Sequence, residues 1–367
     1  ELYLCDTPTL GERARQESIK VRFDTMRHML RERSDSIKRV EVCLESDNPP
    51  ALHALRVALQ ALPTGSVKRL EIRHGGHDDM DTVPSLLATS LGIANGLQTL
   101  SLDVAFGKVN RNDGKEHEIA ANPVAFASHF EQLAYAAPKL CQFRLKVYEL
   151  APQRRWADRS RDRMQKLLAA TMQNRSLESF NIDMPYLSTL AEVIRDPQDP
   201  PIWRPSFLAL NCDPRPENPL SPYGYPPFYR ILDVGSEYIV HLVLHDVRPA
   251  DVDICLHRLP LRLLYFPKLF QIELEATFNK TLRAFTGPEF LKLVDPRTPI
   301  RRISSRFVTP GLVDELQRFV QAQPTRTLKM VAIWDVDPNK EVKELERQLR
   351  LDLQRWCDRE EIHLDLA

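Results

Sequence analysis

The chain has 367 residues, and its 50 Lys plus Arg stand against 50 Asp plus Glu, a formal net charge of zero at pH 7. That balance supplies no global field to draw the molecule onto nucleic acid or an anionic membrane. The longest apolar stretch, Leu256 to Phe270, is broken by His257, Arg258, Arg262 and Lys268, so no membrane span is predicted, and no basic-then-apolar signal segment opens the chain.

In chain order, Glu1-Leu2-Tyr3-Leu4 already has the in-out alternation of a strand with a bare edge, which predicts further chain upstream. From there a triplet of apolar residues at positions one, four and six recurs. It reads Ile37/Val40/Val42, Val67/Leu70/Ile72, Leu97/Leu100/Leu102, Leu140/Phe143/Leu145, Leu177/Phe180/Ile182, Phe207/Leu210/Cys212, Ile239/Leu242/Leu244, Leu269/Ile272/Leu274, Ile300/Ile303/Ser305 and Leu328/Val331/Ile333. Successive first positions lie 30, 30, 43, 37, 30, 32, 30, 31 and 28 residues apart. A period near thirty marks stacked strand-loop-helix units that share one continuous core. Glu361 to Leu366 alternates like one more strand. The expectation is a single α/β solenoid domain over residues 1–367 with about eleven repeats.

Amphipathic segments between the triplets predict outer helices. After Pro49-Pro50, Leu52, Leu55, Leu59 and Leu62 share one helical face; Thr309-Pro310 precedes Leu312, Leu316 and Phe319; Asp337-Pro338 precedes Val342, Leu345, Leu349, Leu353 and Trp356. Further helices are expected over 83–94, 123–136, 161–173, 187–195 and 250–259. The two long steps locate insertions at 106–122 and 150–163. Residues 196–229 hold ten of the chain's 28 prolines; proline at that density predicts extended backbone rather than regular helix.

The L-x-x-L-x-L cadence and its period resemble leucine-rich-repeat proteins with long irregular units, of the ribonuclease-inhibitor-like and F-box-associated kinds. The resemblance covers nearly the whole chain from Ile37. It implies a right-handed solenoid, or horseshoe, with a parallel concave sheet and helices or extended segments outside. It further implies a protein-binding adaptor, one setting being the substrate-recognition part of an F-box-type ubiquitin ligase that meets an Skp1-like adaptor through an F-box upstream of Glu1. A rival within the same family is an inhibitor or activator of a partner enzyme, a nuclease or a small GTPase. The chain departs from the pattern where many such repeats place a turn-bonding Asn or Cys: it has Ala105, Tyr148, Pro185, Val247, Thr277 and Val336.

With the anchors buried, the intervening residues form three rows on the concave face. The first contains His241 and Arg302; the second contains Arg144 and Glu273; the third runs Arg73, Asp103, Lys146, Asp183, Asp213, His245, Glu275, Arg306, Trp334. Mixed signs suit a folded protein or peptide better than a polyphosphate chain. In the third row His245 lies among carboxylates, which predicts a raised imidazole pKa and a pH-sensitive contact; a solvated charge ladder is the plainer reading. Two segments add candidates from loops. Trp156 lies among the arginines of the second insertion, and Trp203, Tyr223 and Tyr225 stand in the proline-rich stretch, where aromatics on a stiff backbone serve either an interface or a plug for a missing helix.

Chemistry has little to rest on. His74-Gly75-Gly76-His77-Asp78-Asp79-Met80-Asp81 gathers two imidazoles and three carboxylates, the ligand types of a divalent metal, and would carry a metal-dependent enzyme; without a second ligand pair at helpful spacing it reads as a plain loop. His117-Glu118 lacks the second histidine of a metalloprotease helix, and no phosphate loop or nucleophile elbow is present. No enzyme activity, cofactor or metal is therefore predicted. The six cysteines show no paired spacing, which fits reduced thiols in the cytoplasm or nucleus.

Overall fold

The computed structural model describes residues 2–5, 28, 37–44, 56, 58–60, 62–74, 88–106, 132–133, 135–149, 178–183, 204–211, 227–245, 247, 249–258, 261–275, 288–306, 308, 310–334 and 343–366. They fall in two compact units, Glu1–Glu178 with Asp196–Trp203, and Ser179–Arg195 with Arg204–Ala367.

In the first unit β1 (Leu2–Cys5), β2 (Arg39–Leu44), β3 (Arg69–His74), β4 (Thr99–Phe106) and β5 (Gln142–Glu149) lie side by side in chain order, each parallel to the one before. In the second, β6 (Ser179–Asp183), β7 (Phe207–Asn211), β8 (His241–His245), β9 (Gln271–Glu275), β10 (Arg302–Ser305), β11 (Met330–Ile333) and β12 (His363–Leu366) do the same. Parallel neighbours demand a crossover, and each thirty-residue unit supplies one.

The registers test the triplets directly. Val40, Leu70, Leu100 and Phe143 are partners across the first unit; Leu242, Ile272, Ile303 and Val331 are partners across the second. All eight are at most 1% exposed, so one face of each sheet is fully covered. The triplet expected at Phe207/Leu210/Cys212 is corrected. Leu208 pairs with Phe180 and Leu242, and Leu210 with Leu244, so the strand sits two residues from the predicted register. Strand side chains alternate with period two, so the slip leaves Leu208 and Leu210 buried with changed neighbours, while Phe207, expected as a buried first-position anchor, joins the polar face beside His241.

Among the described residues the starts of β3, β4, β5, β8, β9, β10 and β11 are each fixed by a backbone fork. The carbonyl of the residue preceding the strand accepts two consecutive N–H groups from the next repeat: Lys38 O from Lys68 and Arg69, Lys68 O from Gln98 and Thr99, Val240 O from Phe270 and Gln271, Phe270 O from Arg301 and Arg302, Arg301 O from Lys329 and Met330.

The covered face is packed by helices and short turns. In the second unit these are α1 (Pro227–Gly235), α2 (Pro249–Asp253) running into a π-helical turn at Ile254–Arg258, α3 (Pro310–Ala322) and α4 (Lys343–Glu360). Leu312, Leu316 and Phe319 of α3, and Leu353 and Trp356 of α4, are buried on the apolar stripes read from the sequence, and Cys357 is buried beside them. Helix α1 corrects the expectation of extended backbone throughout 196–229. Pro227 occupies a first turn, where its missing N–H costs nothing, and Phe228 and Tyr229 go into the core. Phe228 meets Phe290 edge-on at 6.4 Å, and the Tyr229 hydroxyl donates to the Arg262 carbonyl at 2.6 Å. Burial pushes the Tyr229 phenol up to about 12. Val247, at a position where an asparagine ladder would run, is 1% exposed, an apolar contact in place of a turn hydrogen bond.

In the first unit two glycines meet. A Cβ on Gly96 would lie 2.4 Å from the Gly65 carbonyl oxygen, and Gly65 itself has φ of 79°, so this crossing of successive repeats requires bare backbone.

Candidate functional site: the polar face of each sheet

The residues between the buried anchors define the polar face. In the first unit its centre is an ion-pair cluster. Glu41 and Glu71 are 7% and 3% exposed although they belong to the polar face, because Arg39, Arg69 and Arg73 close over them. Arg39 Nη2 donates to Glu41 at 3.2 Å and to Glu71 at 3.1 Å, Arg69 Nε to Glu71 at 2.5 Å, and Arg73 Nη2 to both at 3.3 Å. Burial raises the Glu71 pKa, but the hydrogen bond and charge of Arg69, with Arg39 and Arg73 behind it, outweigh that and hold the carboxyl below its ordinary value. Three guanidinium groups are thereby presented outward on two neighbouring strands, with side-chain exposures of 36% to 54%. Arg73, predicted for this face, is one of them. By register Asp103 is the partner of Arg73 and Lys146 the partner of Asp103, and Arg144 is exposed on β5 opposite Ser101.

In the second unit the face is organised by two histidines. His241 Nε2 lies 2.9 Å from Glu273 Oε1, which also accepts from Gln271 Nε2 at 2.5 Å. His245 Nδ1 lies 2.9 Å from Glu275 Oε2; that hydrogen bond, the charge of His245 and the Arg306 guanidinium together outweigh burial and lower the Glu275 pKa. Both pairs link neighbouring strands, so each side chain is held half-exposed in one orientation. The corrected register changes their surroundings. The partner of His245 on β7 is Asn211 rather than Asp213, and the partner of His241 is Phe207 rather than Ala209. The Phe207 ring meets the His241 imidazole edge-on at 4.8 Å. Arg302 donates to Ser304 Oγ at 3.3 Å, and Trp334 stands half-exposed with its backbone N–H on Ser305 O.

Asp183 ends β6, and of its side chain, like those of Asp103 and Lys146, nothing is described. Asp213, Trp156, Trp203, Tyr223 and Tyr225 lie outside the described residues, as do residues 75–81 of the histidine-carboxylate loop. Among the described residues no group of three or more His, Cys, Asp or Glu is placed to hold a metal, and no helix is long and apolar enough to cross a membrane.

What the rows missed is the end of the second unit's sheet where its strands begin. There a groove of about 730 Å³ is lined by Tyr238, Leu263, Tyr265 and Lys268 between two intramolecular ion pairs, Arg262 with Asp233 at 2.7 Å and Arg297 with Asp295 at 2.6 Å. These residues flank first-position anchors in three successive repeats, so only stacking brings them together. Cation-aromatic alternation beside each anchor is the signal that would have found them.

Strands in strict chain order, every pair parallel and one face buried by equivalent anchors, define both units as repeat solenoids. With the L-x-x-L-x-L register observed strand after strand, each unit has the leucine-rich-repeat fold. No family model and no curated protein matches the chain. Solved structures do: the leucine-rich-repeat protein LegL7 from Legionella pneumophila is similar at 14% identity and TM-score 0.37, over 89% of this chain and 99% of that one. A chain of the yeast Rad7 and Elc1 complex is similar at 12% identity and TM-score 0.33, over 89% and 91%.

Proposed function

We propose that the chain is a protein-binding module without chemistry of its own, and that its partner lies on the polar sheet face of the second unit. The observation that carries this is the pair of cross-strand contacts, His241 with Glu273 and His245 with Glu275, which fix four charged or polar groups half-exposed among Phe207, Arg306 and Trp334. Such a surface is mixed in sign, carries aromatic anchors and is already ordered, so a partner meets little side-chain entropy cost. The arginine cluster of the first unit offers a second charged patch of the same kind.

The test is affinity capture from cell extract with the wild-type chain and a His245→Ala/Glu275→Ala variant side by side, with quantitation of every captured protein. The reading expects one or a few proteins to fall about tenfold in the variant while its melting temperature stays within a few degrees. Identical capture by both proteins would remove the partner from this face.

The finer reading, substrate recognition in an F-box-type ubiquitin ligase with an Skp1-like adaptor, is supported only by the sequence resemblance. Its check is the complete open reading frame together with co-purification of the adaptor.

A further inference from the structure

The groove at the N-terminal end of the second unit's strands is separate from the polar face and has its own chemistry. Tyr238 is held between cations of neighbouring repeats, with Arg204 5.3 Å and Lys268 5.6 Å from its ring centroid. Arg297 lies 5.2 Å over Tyr265, and Arg301 lies 5.9 Å over Phe270. Large apolar groups are in the open: Leu263, Tyr265 and Phe270 are 40%, 44% and 46% exposed.

The charges are unequal. Arg262 and Arg297 are neutralised by Asp233 and Asp295. Arg204, Lys268 and Arg301 rest on aromatic rings, and among the described residues neither they nor the exposed Lys329 pair with a carboxylate. Glu237 is the one exposed carboxylate in the groove lining. Within the lining Lys268 stands against Glu237, and outside it Arg204, Arg301 and Lys329 add three cations ahead of strands β7, β10 and β11, beside the exposed apolar groups. Arg301 and Lys329 immediately precede the adjacent strands β10 and β11, so this edge repeats its charge at a strand spacing of about 4.8 Å.

We propose that this edge is a second docking site, for an acidic peptide segment of a partner protein. The segment lays an apolar side chain against Leu263 and Tyr265 and sets its carboxylates along Arg204, Lys268, Arg301 and Lys329. Two observations favour a peptide over single-stranded nucleic acid. Each ring already carries at least one of the chain's own cations over it, which leaves less ring surface free for base stacking. Glu237, the exposed carboxylate of the lining, would repel a run of phosphates, whereas discrete carboxylates spaced by neutral residues avoid it.

The probe is a fluorescein-labelled dodecapeptide in which Asp and Glu alternate with glycine on either side of two central leucines, titrated with the full chain by fluorescence anisotropy. A labelled oligothymidylate and a peptide with the leucines replaced by serine run alongside. The expected result is saturable binding of the leucine-containing peptide that weakens with salt. It should fall about tenfold in Lys268→Glu/Arg301→Glu and, separately, in Lys329→Glu, which touches no ring, with the melting temperature of Lys329→Glu preserved. His245→Ala/Glu275→Ala should leave this binding unchanged, which separates the edge from the polar face. Absence of saturable binding, indifference to all three charge reversals, equal binding of the serine peptide, or tighter binding of oligothymidylate would each overturn the proposal.

Discussion

Glu71→Gln tests whether the arginine cluster of the first unit stores folding energy. The wild-type carboxylate is 3% exposed and accepts from Arg69 at 2.5 Å, Arg39 at 3.1 Å and Arg73 at 3.3 Å. Were all four groups buried, breaking the cluster would cost about 3–5 kcal/mol. The arginines are 36% to 54% exposed, so water screens each contact to about 0.5–1 kcal/mol, and the sum is about 2 kcal/mol. Glutamine keeps the volume and one acceptor oxygen, so the loss reports charge rather than a cavity. At this unit's size the melting temperature should fall by about 4–8 °C at pH 7. The pH dependence has a definite sign. Folding lowers the Glu71 pKa from its ordinary 4.5, so its contribution is complete above pH 4.5 and is lost as pH falls through the lower folded value. Calorimetric melting from pH 7 to pH 3 should show wild type and variant converging at the acid end. Equal melting temperatures at pH 7, or curves that stay parallel down to pH 3, would refute the reasoning.

Other substitutions probe the stacking. Gly96→Ala drives a methyl into the Gly65 backbone, and a loss of about 2–4 kcal/mol is expected by denaturant titration; an unchanged midpoint would show that the two repeats move apart freely. Leu242→Asp places an unpaired charge at a fully buried site, and hydrogen exchange should show β7, β8 and β9 opening together, with protection intact if the register is wrong. Cys255 and Cys357 are buried and their thiols are pushed up to about 12, so a thiol reagent at pH 8 should label them only after denaturant is added.

Much of this fold was legible because leucine-rich spacing reports burial directly. Among the described residues the fourth and sixth positions of nine of the ten triplets fall in register within their sheets. The exception shows the limit of the method: Phe207/Leu210/Cys212 and Pro205/Leu208/Leu210 both satisfy an alternating pattern, and only pairing with Phe180 and Leu242 chooses between them. Proline-rich composition concealed α1, since Pro227 stands at its first position, where proline is tolerated, and no proline follows within the helix. The candidate site was legible as a set of rows but not as contacts. That His241 reaches Glu273 and His245 reaches Glu275 depends on side-chain length across neighbouring strands, and burial of Glu41 and Glu71 depends on arginines thirty residues away folding over them. The groove was least legible, since its residues straddle the anchors and share no row.

A forked carbonyl, where it precedes a strand, bears on how such chains tolerate change. Because it clamps the next repeat by two main-chain amides, it sets the phase of that repeat whatever side chains stand there. Connections downstream of such a strand can then lengthen while the following repeat of the same unit still docks in step. The scaffold thus separates its assembly code, written in peptide groups at one edge, from its exposed vocabulary, and foreign segments grafted after a strand should be accepted where those placed before it would jam the stack.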